Sequence, residues 1–187
     1  MTETVPGPGR REQRKDDTRR ALEEAALRRF ATDGYDATSV DAIAADAGVS
    51  ARTFFRYFPA KDDVFDMGRE VRQAELRSAI RARRDLTDGE VVREAVLVMA
   101  RGFAEDRDRV LLRQGAAASS VVLRGRIFDT FLSWEFLVAR ELGGTPEAEA
   151  LAAAGIAVFR AAAARWVHEG GSLPDRVAAG FDALGVL

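Results

Sequence analysis

Residues 38–61 constrain this chain more than any other stretch: TSVDAIAADAGVSARTFFRYFPAK reads as a helix, a tight turn, a second helix and a stop. Thr38 or Ser39 can cap the first helix, because a short hydroxyl accepts a hydrogen bond from a free backbone N–H. Asp41, three residues after Thr38, stands where a capping box carries its acidic member. Val40, Ile43, Ala44 and Ala47 recur on one helical face. Gly48 suits the helix exit, where a left-handed backbone is often required. Ser50 can cap the second helix, Phe54 and Phe58 lie one turn apart on one side, and Pro59 ends it. Two short helices joined around a glycine form the helix-turn-helix unit, whose second helix can enter a DNA major groove.

The other side of that second helix carries chemistry suited to the groove. After Ser50 and Ala51, the residues Arg52, Thr53, Phe55, Arg56 and Tyr57 fall away from the Phe54/Phe58 side. Arginine reads guanine edges or holds phosphate, threonine does either weakly, and tyrosine reaches the sugar-phosphate. Lys61 follows Pro59, where the next helix is expected to begin, and an ammonium at a helix N-terminus makes a phosphate clamp. Thr38 and Ser39, at the start of the first helix, complete the expected DNA face. The plain alternative is a helical hairpin with a solvated arginine-bearing surface.

DNA binding needs positive charge, and the chain as a whole has none to spare: its net charge is -2. The charge must therefore be local. Arg10, Arg11, Arg14, Lys15, Arg19 and Arg20 cluster early in the chain, diluted by Glu12, Asp16 and Asp17. This pattern predicts strong salt sensitivity and modest non-specific affinity. There is no cysteine, which excludes disulfides, thiol catalysis and cysteine metal sites and fits a reducing cytoplasm. No apolar run of membrane-span length and no signal-peptide core is read, so the expected setting is cytoplasmic, without a membrane partner. At 187 residues, 47% of them hydrophobic, the chain can build one large or two small cores.

The matching pattern extends beyond the two helices. An amphipathic helix with Ala25, Ala26 and Phe30 precedes Gly34-Tyr35, Thr38-Ser39-Val40, Ile43-Ala44, Ala47-Gly48-Val49-Ser50, Thr53-Phe54, Tyr57-Phe58 and Lys61. On these residues, about a quarter of the chain, the segment 19–65 resembles the DNA-binding domain of the TetR family of transcriptional regulators. The resemblance implies an all-α protein. It would comprise an N-terminal three-helix helix-turn-helix domain at residues 16–61 and a helical ligand-binding and dimerisation bundle at 62–187. It further implies a homodimer on a palindromic double-stranded DNA operator, mostly as a repressor, released by a small effector. Phe55 departs from the family pattern, where many members have a phosphate-bonding tyrosine. Phe-Phe-Arg-Tyr-Phe-Pro is similar to a subset that includes regulators of acyl-CoA-like ligands and of the mycofactocin system.

Residues 1–15, with Pro6-Gly7-Pro8-Gly9 and few apolar side chains, read as a disordered basic arm. Helices are expected over about 17–33, 61–84, 87–106, 107–115, 121–141, 146–169 and 174–184, with no strand-like alternation and no repeat. Met67, Met99, Phe103, Phe128, Phe131 and Trp134 could line an apolar, acyl-type effector pocket, or simply fill a core. Arg113 and Arg124 lie near this region and could hold an anionic group. The small residues of the helix after Pro146 could meet a second subunit, or face their own core. The family's last two helices usually build the dimer, which would make Phe159, Trp166, Phe181 and Leu184 its anchors. A dimer also suits the geometry, because one short recognition helix reads only a few base pairs.

His168, the single histidine, suits the carbonyls at a helix C-terminus. No catalytic, metal-ligating or cofactor-binding constellation is read, so an enzyme is not expected. The alternative left open is a DNA-binding protein whose second domain only dimerises.

Overall fold

A computed structural model describes residues 9–83 and 85–185, and every regular element among them is helical. The elements are α1 (Arg10–Thr32), α2 (Val40–Asp46), α3 (Ala51–Tyr57), a 3-10 turn (Lys61–Asp66), α4 (Arg69–Arg81), α5 (Asp88–Glu105), α6 (Arg107–Ala118), α7 (Val121–Glu141), α8 (Pro146–Glu169) and α9 (Leu173–Leu184). Several boundaries differ from expectation, among them the end of α6, at Ala118 rather than near residue 115. The first helix starts at Arg10 rather than near residue 17. Its opening residues have no apolar stripe to reveal a period, yet Arg, Gln, Glu and Lys are good helix formers. Of the expected arm, residues 1–8 lie outside the described residues. The fourth helix starts at Arg69 rather than near Lys61, because the 3-10 turn and Gly68, at φ +80°, come first. It ends at Arg81; its expected end, Arg84, lies outside the described residues.

The chain forms two compact units. The first holds residues up to Phe65 together with Leu112–Leu123. The expected boundary at residue 61 therefore falls slightly later, and the return of residues 112–123 had no signal in the sequence. Leu22, Ala26 and Phe30 of α1 are fully buried at the i, i+4, i+8 spacing of one helical face. They join Ile43, Ala44, Phe54, Phe58, Val64 and Phe65, with Ala116, Ala117 and Leu123 from the returning segment. Phe30 meets Tyr35 edge-on at 5.2 Å and stacks on Phe65 at 6.5 Å.

The second unit is built from Asp66–Leu111 and the residues from Arg124 onward. There α5 packs on α4, α8 and α9, and α8 packs on α9. Thr87 starts α5 with a full capping box: its hydroxyl accepts from Glu90 N, and Glu90 accepts from Thr87 N. Close helix approach demands small residues at two points. A Cβ on Gly155 would overlap Val92 Cγ1, and one on Gly180 would lie 2.7 Å from Val158 Cγ1. Contrary to the expectation that no apolar run reaches membrane-span length, α8 is long and apolar enough to cross a membrane, with a mean hydropathy of 1.4 over 18 residues. It buries Ala148, Ala152, Gly155, Ile156, Phe159, Ala162 and Trp166 inside this unit. One side of α8 is apolar because it lies in this core, and the other is rich in exposed alanine.

Candidate nucleic-acid interface

Two serines start the two short helices. Ser39 Oγ accepts from Ala42 N at 3.1 Å, and Ser50 Oγ accepts from Thr53 N at 3.2 Å. Between them Gly48, at φ +68°, turns the chain while Val49 N donates to Ala44 O at 2.9 Å. Phe54 and Phe58, both fully buried with rings 5.5 Å apart, seat α3 on the core of the first unit. Arg29 of α1 grips the end of α2: its Nε and Nη2 donate to the two oxygens of Asp46 at 2.6 and 2.8 Å. Those hydrogen bonds are the main reason the Asp46 carboxyl lies below its ordinary range, with coulombic attraction adding and desolvation opposing.

This seating turns Arg52, Phe55 and Arg56 outward, all three exposed. At about 100° per residue they share one sector of the helix roughly 100° wide. The Phe55 ring is 54% exposed and meets the buried Phe54 ring edge-on at 5.6 Å. Ser50 is exposed, while Ala51, Thr53 and Tyr57 are half-buried. The Thr53 hydroxyl shares a hydrogen bond with Ser50, and the Arg56 guanidinium lies over the Tyr57 ring at 5.1 Å. A groove of about 700 Å³ runs beside this surface, lined by Arg56 and Tyr57 of α3 and by Glu12, Arg14, Lys15 and Thr18 of α1. Arg14 and Lys15 thus share a surface with the second short helix, an alliance that linear spacing does not show.

Two expected contact residues are tied into the fold. Thr38 is 4% exposed and donates its hydroxyl proton to Gly34 O at 2.7 Å, so Ser39 alone caps α2. Lys61 does not open α4. Its Nζ donates to Tyr35 O at 2.5 Å and Thr38 O at 2.9 Å and lies 4.1 Å from the centre of the Tyr35 ring. It therefore ties the α1–α2 loop to the segment after α3. Arg113 pairs with the buried Glu23 at 3.4 Å, donates to Phe65 O and covers the Phe65 ring. Arg124 is exposed at the start of α7.

In the second unit, Met99, Phe103, Phe131 and Trp134 belong to one core cluster with Phe159. Phe103 meets Phe159 at 5.0 Å and Trp134 at 5.9 Å, and Phe131 meets Trp134 at 5.6 Å, all edge-to-face. Trp134 is 3% exposed, and its indole N–H has no hydrogen-bond partner among the described residues. Met67 stands outside this cluster and Phe128 is exposed on α7, so these two do not join the others. Three expected dimer anchors are also corrected. Phe159, Trp166 and Phe181 are buried within their own subunit, and Trp166 Nε1 donates to Gly171 O at 3.0 Å. Leu184 is exposed, as are Ala150, Ala153, Ala157, Ala161 and Ala164 along one side of α8. Among the described residues no group of three or more acidic and histidine side chains could hold a metal ion.

Residues 22–66 match the family model for bacterial regulatory proteins of the TetR family. The chain is 43% identical over 61 residues to the HTH-type transcriptional regulator TcmR of Streptomyces glaucescens, covering 33% of this chain and 27% of that protein. It is 27% identical, over 97% of its own length and 96% of the other, to MftR, a proposed mycofactocin biosynthesis transcriptional regulator of Mycobacterium tuberculosis. The crystal structure of Thermus thermophilus FadR, a TetR-family transcriptional repressor in complex with lauroyl-CoA, aligns with a TM-score of 0.59. That alignment has 26% identity over 90% of this chain and 95% of FadR.

Proposed function

We propose that this chain is a transcriptional regulator of the TetR type that represses transcription as a homodimer on a palindromic operator, a reading supported by the family match at residues 22–66 and by the likeness to TcmR and FadR. The outward Arg52/Phe55/Arg56 face of α3 carries the reading, because that face pairs donors and an apolar ring on a helix otherwise sealed by Phe54 and Phe58. Ser39 and Ser50 stay in the proposed contact set as hydroxyls at the helix starts, with Ala51, Thr53 and Tyr57 beside them. Arg14, Lys15 and Arg56 in the adjoining groove supply backbone contacts. One seven-residue helix reads only a few base pairs, so two copies are required. The exposed alanine side of α8 is the proposed subunit contact, since small residues let helices approach closely.

The effector is proposed to be a small, mostly apolar molecule of acyl type. FadR, at 26% identity, was crystallised with lauroyl-CoA, and the chain's aromatic cluster of Phe103, Phe131 and Trp134 supplies apolar surface. The buried Trp134 N–H favours a ligand that brings a hydrogen-bond acceptor with its apolar part. Release from DNA requires that ligand to bind the free conformation better than the DNA-bound one. A second reading, in which this unit only dimerises, is favoured by the ring-against-ring closure of the same cluster.

Selection of random duplex DNA by the purified protein tests the main reading. An inverted repeat is expected; a folded protein that enriches no sequence overturns it. Adding acyl-CoA of varied chain length to the selected complex then separates the two readings. Dissociation supports the sensor, and indifference to every chain length supports the dimerising role.

A further inference from the structure

Phe55 is the anomaly of the proposed reading face. An aromatic ring 54% exposed, between two exposed arginines on a seven-residue helix, gains nothing from solvent. Its position is set from beneath: Phe54 is fully buried and meets Phe55 edge-on at 5.6 Å. The ring has no hydroxyl and so cannot bond a phosphate. It needs an apolar partner in whatever surface the arginines bind. In the major groove of a duplex, each base pair presents donors and acceptors, and the one apolar group is the C5-methyl of thymine.

We infer that Phe55 reads a thymine C5-methyl in each operator half-site, so that it selects a base through apolar contact while Arg52 and Arg56 supply the polar contacts. The inference rests on the operator-binding reading and makes it more specific. Phe55 is a specificity-determining residue, and the selected half-site contains a T·A pair within reach of the base edges contacted by Arg52 and Arg56. The apolar contact is short-ranged and carries no charge, so it contributes no salt dependence.

The test uses the full chain and its selected operator, with each thymine in turn replaced by deoxyuridine, which differs only by the missing methyl. Burial of one methyl corresponds to roughly a fourfold change in affinity. The wild type is expected to lose about fourfold at one symmetric pair of positions. Phe55→Ala is expected to bind the thymine operator more weakly and to be indifferent to deoxyuridine there. Because Phe55 is exposed, the variant should keep the wild-type circular dichroism and unfolding midpoint. If deoxyuridine is tolerated everywhere by the wild type, or costs Phe55→Ala just as much, the inference is overturned while specific operator binding stands. If the wild type binds no sequence specifically, both the inference and the reading beneath it fall.

Discussion

Lys61→Met separates two physical roles for one ammonium. The methionine keeps the apolar stem but removes two charge-assisted hydrogen bonds, to Tyr35 O and Thr38 O, and the cation over the Tyr35 ring. A hydrogen bond to a charged group contributes about 1.5–3 kcal/mol. Lys61 is half-buried, so water can replace part of each bond, and the expected net loss is about 2 kcal/mol. The loss is local to the loop between α1 and α2 and to the seating of α3. Amide exchange in α2 and α3 should therefore speed up about 30-fold, since about 1.4 kcal/mol is a factor of ten. Non-specific DNA binding, titrated against salt, should keep its slope if the two carbonyl bonds hold the ammonium away from phosphate. A phosphate clamp would behave in the opposite way: exchange would not change, and the logarithmic salt slope would shrink by about 0.9 per subunit. That second result would refute the structural role.

Four further outcomes are expected. Arg52→Ala and Arg56→Ala should each weaken operator binding by about 1–3 kcal/mol if they read bases, measured by titration against the selected duplex. Ala157→Arg, on the exposed side of α8, should leave the subunit folded but monomeric in light scattering after size exclusion. Gly155→Ala should lower stability by about 1–3 kcal/mol in chemical unfolding, because the new Cβ meets Val92 where helices cannot part freely. Glu141 is held below its ordinary value of 4.5, chiefly by the Arg81 hydrogen bond with Arg77 adding attraction, while desolvation opposes. Its contribution is full above 4.5 and disappears as pH falls through the lower folded value; the acid side of the unfolding curve should flatten in Glu141→Gln.

Local chemistry made the reading helices legible. Gly48, Ser50 and the Phe54/Phe58 pair act within a few residues of themselves, so spacing alone assigns them, whereas it left Thr38 and Ser39 as alternative caps. Spacing does not show every partner a side chain takes. Lys61 meets carbonyls 26 and 23 residues earlier, and Thr38 bonds backward to Gly34 rather than forward into a helix. Phe159, Trp166 and Phe181 illustrate another limit: a large aromatic suits an interface and a core equally well, and only the packing of α5 against α8 and α9 decides between them. The start of α1 was missed for the opposite reason. Charged helix formers without an apolar stripe carry propensity but no period.

The return of Leu112–Leu123 to the first unit has a consequence for anyone treating the DNA reader as a portable module. A gene fragment stopping at Phe65 would encode all the proposed reading side chains, yet deprive Glu23 of Arg113 and uncover Phe65. It would also omit Ala116, Ala117 and Leu123 from the core they help to fill. Chimeras that graft this reader onto a foreign sensor should therefore carry residues 112–123 along with it. A seam drawn at Phe65 alone cuts through a folded body rather than between two.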